Sequence, residues 1–255
     1  MLWYKSLLET RWRFLIGLAI LVLSVVGTVL AYPRVVKLLP LVPAVDTSGE
    51  IGRRIKEIAE LSRSYRGYVW AQALRQNVTQ MLSLFAVLLG TGGLLSQTAG
   101  GGALFTLSLP VSRDRLLGVR AATGLAELAV LAFLPVLLLP VISPAVGERF
   151  GVADALVHGT CLFAAGAVLF SMACLLSTVF TDVWRPALIV CAFAAVLGIA
   201  EPFFGHLSRY SLFGIMNGEI YFRGDGVPWL ELLATAAVSA AMLLFASRNL
   251  ARQDF

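Results

Sequence analysis

Six apolar runs organise the chain, at 14–31, 78–96, 121–142, 155–180, 186–204 and 229–245. Polar breaks near 97–120, 143–154, 181–185 and 205–228 separate the later runs. At about 1.5 Å of rise per helical residue, each run can cross the ~30 Å hydrocarbon layer of a bilayer with modest tilt. The pattern therefore predicts an all-α integral membrane protein, with six transmembrane helices forming a single transmembrane domain over 1–255. The loops that follow from it are 32–77 and 205–228 on the outside and 97–120 on the cytoplasmic side.

The first run follows Lys5, Arg11 and Arg13, a flank that looks like a signal peptide, and Val29 and Ala31 suit a cleavage site. Its length exceeds the usual apolar core of about 7–15 residues, which predicts a retained membrane helix. In residues 1–13, Trp3, Leu7 and Thr10 align on one helical face while Lys5, Glu9 and Arg13 lie elsewhere. This spacing predicts an amphipathic interfacial helix that lies in the membrane plane before the first crossing. Prolines 33, 40 and 43 then introduce a mixed-charge stretch in which Ile51, Ile55, Ile58 and Tyr65 recur at helical spacing, opposite Arg53, Arg54, Lys56, Glu57 and Arg63. A pair of surface helices is expected there, because the stretch is too short and polar for a core of its own.

Composition sharpens the picture. Hydrophobic residues make up 58% of the chain and charged residues 14%, against about 25% charged in soluble domains, so a water-exposed surface cannot be covered. The net charge of +5 fits arginines at lipid headgroups, and no basic stripe with interleaved aromatics suggests nucleic acid. Placing the amino terminus inside puts Lys5, Arg11, Arg13, Arg113, Arg115, Arg120, Arg185, Arg248 and Arg252 in the cytoplasm. The two later outer loops then hold only Arg149, Arg209 and Arg223. The first outer loop runs against this trend with eight basic residues (Arg34, Lys37, Arg53, Arg54, Lys56, Arg63, Arg66 and Arg75), accompanied by four acids.

Candidate chemistry is sparse. Neither an HExxH zinc motif nor a nucleophile with a neighbouring base occurs, so an enzyme is not expected, and no cofactor or metal site is predicted. Cys161, Cys174 and Cys191 read as small apolar residues. His158 and His206, near predicted helix ends, read as polar interfacial groups. Glu127 lies about two turns inside a run, a place for a pathway or helix-packing role, whereas Glu201 and Glu231 read as capping or snorkelling residues near run ends. Ala194 with Gly198 and Ala236 with Ala240 place small residues at a spacing that lets helices approach.

The stretch from Ser96 to Arg120 reads SQTAGGGALFTLSLPVSRDRLLGVR. Three glycines permit a bend, Leu104, Phe105, Leu107 and Leu109 form a short apolar segment, and Pro110 stops it. A second helix is expected to start at Ser112, whose hydroxyl can cap free amides while Asp114 favours the positive helix end. Together Gly101, Leu104, Leu107, Leu109, Pro110, Ser112 and Arg113 resemble the first cytoplasmic loop of the type-two ATP-binding-cassette (ABC) exporter permeases. The amphipathic entry helix, the order of six runs and the carboxyl end ARQDF extend that resemblance over nearly the whole chain. Two positions depart from it, with Gln97 where the family usually has Glu and Gly102 where it has Thr.

The resemblance implies an ABC transporter permease subunit of the cell membrane that forms an export pathway, pairs with a second permease copy or a related permease, and is driven by a separate ATPase subunit. No phosphate-binding GxxxxGK[ST] occurs in the chain. The expected ATPase-coupling contacts are Leu104, Phe105, Leu107, Leu109, Pro110, Ser112, Arg113 and Arg115. Trp184 and Arg185 in TDVWRP are a further contact, or else a headgroup anchor, with Pro186 suited to a first helical turn and Thr181 or Asp182 to its cap. The alternative function is a non-transporting membrane scaffold or sensor that uses the 32–77 segment.

Overall fold

The structure is a computed structural model that describes residues 2–38, 60–91, 113–180, 182, 184–201 and 210–251. Every regular element among them is helical. Four helices are long and apolar enough to cross a membrane: α1 (Leu2–Leu38), α4 (Arg113–Ile142), α5 (Val152–Ser177) and α9 (Trp229–Ala251). Between α1 and α4 come a single turn, α2 (Tyr65–Tyr68), a π-helix over Val69–Val78 and α3 (Thr79–Gly90). Helix α6 (Trp184–Ala200) is apolar but shorter, and α7 (Leu212–Met216) and α8 (Glu219–Phe222) are short pieces ahead of α9. The described residues are thus all-helical, as the run pattern predicts, and four of their helices suit a membrane protein.

Three expected boundaries move. Residues 2–13 are not a separate interfacial helix, because α1 runs on from Leu2 through the first apolar run. No glycine or proline occurs before Gly17 to break it, and the Thr10 hydroxyl bonds back to the Ser6 carbonyl at 3.1 Å within the helix. Residues 32–38 likewise extend α1 rather than open an outer loop, with Pro33 inside the helix. A proline removes one backbone bond, which neighbouring groups in a membrane bundle can tolerate. Finally, residues 60–78 do not lie on the surface as amphipathic helices, since Tyr65, Tyr68, Val69, Trp70 and Leu74 are all buried. Residues 39–59, which hold most of the expected surface pair, lie outside the described residues.

Aromatic residues explain this inward turn. Tyr32 near the end of α1 packs against Tyr65 and Tyr68, with ring centroids 4.9 and 5.1 Å apart. The hydroxyls of Tyr65 and Tyr68 both find partners. Tyr65 shares a 2.6 Å hydrogen bond with Ser143 Oγ, and Tyr68 donates to the Thr28 carbonyl at 3.0 Å. Trp70 stacks on Phe222 with centroids 4.1 Å apart and donates its indole N–H to the Asn217 carbonyl at 3.0 Å. These rings bury large apolar area while their polar tips stay satisfied. The segment expected as the outer loop 205–228 is accordingly folded into the bundle where it is described. Met216 is fully buried, and its sulfur accepts a 3.5 Å hydrogen bond from Ser83 of α3.

The contacts sort the helix ends into two groups. At one end lie Tyr32, Ser143, Asp154 and the 212–222 segment, tied by Tyr221 donating to Asp154 at 2.6 Å and by Arg66 paired with Asp154 at 3.5 Å. At the other end Leu117 of α4, Cys174 of α5 and Ala246 and Leu250 of α9 form a small buried cluster. The start of α1 joins that second end through its contacts with α4. Residue 2 of α1 and residue 251 of α9 therefore lie toward the same end of the bundle.

Candidate functional site at the flanks of residues 92–112

Residues 92–112 lie outside the described residues, and with them Leu104, Phe105, Leu107, Leu109, Pro110 and Ser112. Both flanks of this segment are described, and both are held by the same helix. On the leading side α3 ends at Gly90, where Thr91 caps it and donates its hydroxyl to the Leu88 carbonyl at 3.1 Å. Arg13 of α1 donates from Nη1 to the Leu88 carbonyl at 2.9 Å and to the Thr91 carbonyl at 3.2 Å. The last carbonyls of a helix lack intrahelical donors and carry its negative dipole end, so a guanidinium is a fitting cap. Hydrogen bonds to a charged donor contribute about 1.5–3 kcal/mol each.

On the trailing side the helix is described from Arg113 onward, next to the expected start at Ser112. Here α1 makes two polar contacts two turns apart along α4. Arg120 Nη1 lies 3.5 Å from Glu9 Oε2, and Thr10 Oγ1 donates to Glu127 Oε1 at 2.6 Å. Glu127 is 5% exposed, so its carboxyl sits at a helix interface among apolar neighbours. Among the described residues its second oxygen, Oε2, has no hydrogen-bond partner. A half-satisfied buried carboxyl is costly, and such groups inside membrane spans mark function by default.

Arg115 is exposed on the first turns of α4, and the backbone of Arg113 is helical there. Trp184 and Arg185 are also exposed, Trp184 at 73%. Asp182 caps the start of α6 by accepting from the Arg185 amide at 2.8 Å, in line with the cap role expected of it, and its other oxygen pairs with Arg185 Nε at 2.9 Å. The structure brings Glu127 together with Thr10 and within the field of Arg120, which in turn meets Glu9. Arg120 enters the sequence reading only through the charge count, and Thr10 and Glu9 only through the pattern of residues 1–13. The apolar stripe carried no signal for this contact, since Trp3 and Leu7 are exposed and Thr10 is buried beside Ser6 instead.

The other candidate polar residues fall elsewhere. His158 is 2% exposed, nearly two turns into α5, beneath Gly218 and the edge of the Tyr221 ring. His206 lies outside the described residues. Glu201 accepts a 2.7 Å hydrogen bond from Ser211, the residue that caps α7, and Glu231 sits in the first turn of α9 where a negative charge suits the dipole. Cys161 and Cys174 are buried and Cys191 half-buried on helix faces. Compared with known proteins, the chain matches no family model, no curated sequence and no solved structure.

Proposed function

We propose that the chain is the membrane-spanning permease subunit of an ATP-driven exporter in the cell membrane, with six crossings and both termini in the cytoplasm. In this reading α2, the π-helix and α3 together supply the second crossing and α6 the fifth. A separate ATPase subunit docks on residues 97–120, and a second permease copy or a related permease completes the pathway. The observation that carries the reading is the double attachment of the 92–112 flanks to α1. Arg13 holds the helix end that leads into the segment, and Glu9 and Thr10 hold the helix that leaves it.

That attachment bears on mechanism. A force applied to a segment between two free helix ends is absorbed by local bending. Applied to a segment whose ends share one strut, it moves α1, α3 and α4 together, and rearrangement of packed helices is how ATP-driven closure becomes alternating access. Phe105, Leu107 and Leu109 then supply the apolar anchors in a groove of the ATPase, and Arg113 and Arg115 the charged rim. Exposed Trp184 and Arg185 stand ready for a second contact.

The test is recovery of an ATPase subunit with the tagged protein from its native membrane. Phe105→Asp, or charge reversal of Arg113 and Arg115 together, should leave the protein inserted at normal levels while lowering ATPase recovery at least tenfold, the loss of about 1.4 kcal/mol of binding. Undiminished recovery in both variants removes the segment from the mechanism. Absence of any ATPase from the wild-type preparation favours the scaffold or sensor reading.

A further inference from the structure

Arg13 stands between two acceptors. Its present partners are the neutral carbonyls of Leu88 and Thr91 at the end of α3. Three residues before it on α1, Thr10 touches Glu127, whose Oε2 is buried and has no partner among the described residues. Side chains three apart on a helix are neighbours about 5–6 Å apart at Cβ, so the long Arg13 side chain has both acceptors within its sweep. The nearest charge to reach Glu127 is that of Arg120, which is itself engaged with Glu9. No described side chain other than Thr10 bonds the Glu127 carboxyl.

The chemistry of the two acceptors differs in an informative way. A guanidinium on a carboxylate makes charge-assisted, potentially bidentate bonds that are stronger than bonds to carbonyls. The carboxylate, however, already has one donor and lies among apolar groups, whereas the Leu88 carbonyl also accepts the Thr91 hydroxyl and the Thr91 carbonyl depends on Arg13. Each arrangement leaves one acceptor, Glu127 Oε2 or the Thr91 carbonyl, without a donor among the described residues. Two states of this kind, separated by a side-chain swing, form a bistable element of the sort that a modest applied force can bias.

We infer that Arg13 is a positioning residue that passes between the Leu88 and Thr91 carbonyls on α3 and the Glu127 carboxylate on α4, releasing the end of α3 when it moves. This rests on the coupling role proposed for residues 97–120, whose two flanks are the elements the two acceptors belong to. With Arg13 on α3 the leading flank is capped. With Arg13 on Glu127 the leading flank is free to move, while the trailing flank is held to α1 more tightly by an ion pair.

Hydrogen exchange across 86–91 tests the hand-off, measured by mass spectrometry on the purified protein in lipid nanodiscs without any partner. Glu127→Leu removes the competing acceptor, so Arg13 stays on α3 and exchange in 86–91 should slow about two- to fivefold. Glu127→Gln, which keeps the side-chain shape and loses the charge, should act in the same direction to a smaller extent. Arg13→Gln should speed exchange there, and combining Arg13→Gln with Glu127→Leu should give the Arg13→Gln result alone. Unchanged or faster exchange in both Glu127 variants overturns the inference and leaves Arg13 a fixed cap. Because this measurement needs no ATPase, slowed exchange in a protein that recruits none would sink the proposed function and keep the hand-off, and unchanged exchange in one that does would do the reverse.

Discussion

Single residues decide how the outer loops of the predicted topology close onto the bundle. Tyr221 donates to the Asp154 carboxylate, and this bond, followed by burial, holds its hydroxyl above the ordinary tyrosine value of 10.0. A raised tyrosine value means that the folded state holds the proton more tightly than the unfolded one. Its contribution is therefore complete below about pH 10 and is lost as pH rises through the folded value. The expected outcome is alkaline loosening of the 212–222 segment, followed by tyrosine absorbance and by limited proteolysis. Tyr221→Phe should lower stability at neutral pH by about 0.5–1.5 kcal/mol and flatten the alkaline dependence. Equal alkaline sensitivity in this variant would sink the assignment. Little of this was legible beforehand: Tyr65 was placed on an apolar helical stripe, but the partner that buries it, Tyr32, lies beyond residues 39–59, and propensity does not encode such a pairing. Glu127 was legible, because a carboxylate inside an apolar run is conspicuous at the level of composition.

At the scale of elements, the apolar runs gave helix existence reliably and helix ends poorly. Hydropathy measures the depth of burial in lipid, whereas a helix continues past the lipid wherever nothing stops it. Helix α1 therefore extends in both directions beyond the run at 14–31, and α4 begins before the run at 121–142. The second run is the exception. Val69–Val78 adopts a π-helix ahead of α3, in which the Leu74 carbonyl accepts both the Thr79 amide and, at 2.8 Å, the Thr79 hydroxyl. No residue pattern announces that wider winding. Close approach of α3 to α5 is a further element-scale feature. A Cβ added at Gly90 would stand 2.5 Å from the Phe170 carbonyl oxygen and 2.8 Å from the Ala173 Cβ, and backbone cannot yield as a flexible side chain does. Gly90→Ala should destabilise by about 1–3 kcal/mol in thermal unfolding in detergent, the usual cost of overpacking. Gly118→Ala, on α4 with nothing within 4 Å of the added atom, is the control and should be neutral or slightly stabilising. Equal stability of the two variants would show that α3 and α5 are not in close contact.

At the scale of the whole molecule, the arrangement of helix ends bears on the orientation that the charge count left in conflict. The start of α1, the flanks of 92–112 and the end of α9 gather at one end of the bundle, through Thr10 with Glu127, Arg13 with Leu88, and Leu117 with Leu250. That end carries Lys5, Arg11, Arg13, Arg115, Arg120 and Arg248, while Arg34, Lys37, Arg63, Arg66, Arg149 and Arg223 belong to the other. Basic residues near membrane helices stay on the cytoplasmic side, most strongly within short loops. Arg66 pairs with Asp154, and Arg75 lies 5.4 Å over the Trp70 ring. The expected orientation, with 92–112 in the cytoplasm and 39–59 outside, rests on the short segments, where the bias acts most strongly. Single cysteines at Ser48 and Ser112, introduced after Cys161, Cys174 and Cys191 are replaced by alanine or serine, report it directly. A membrane-impermeant thiol reagent added to intact cells should label Ser48→Cys and leave Ser112→Cys unmodified until the membrane is opened. Labelling of Ser112→Cys from outside, with Ser48→Cys protected, would invert the protein. An ATP-driven partner could then no longer reach the segment between α3 and α4, and the exporter reading would fail with the orientation.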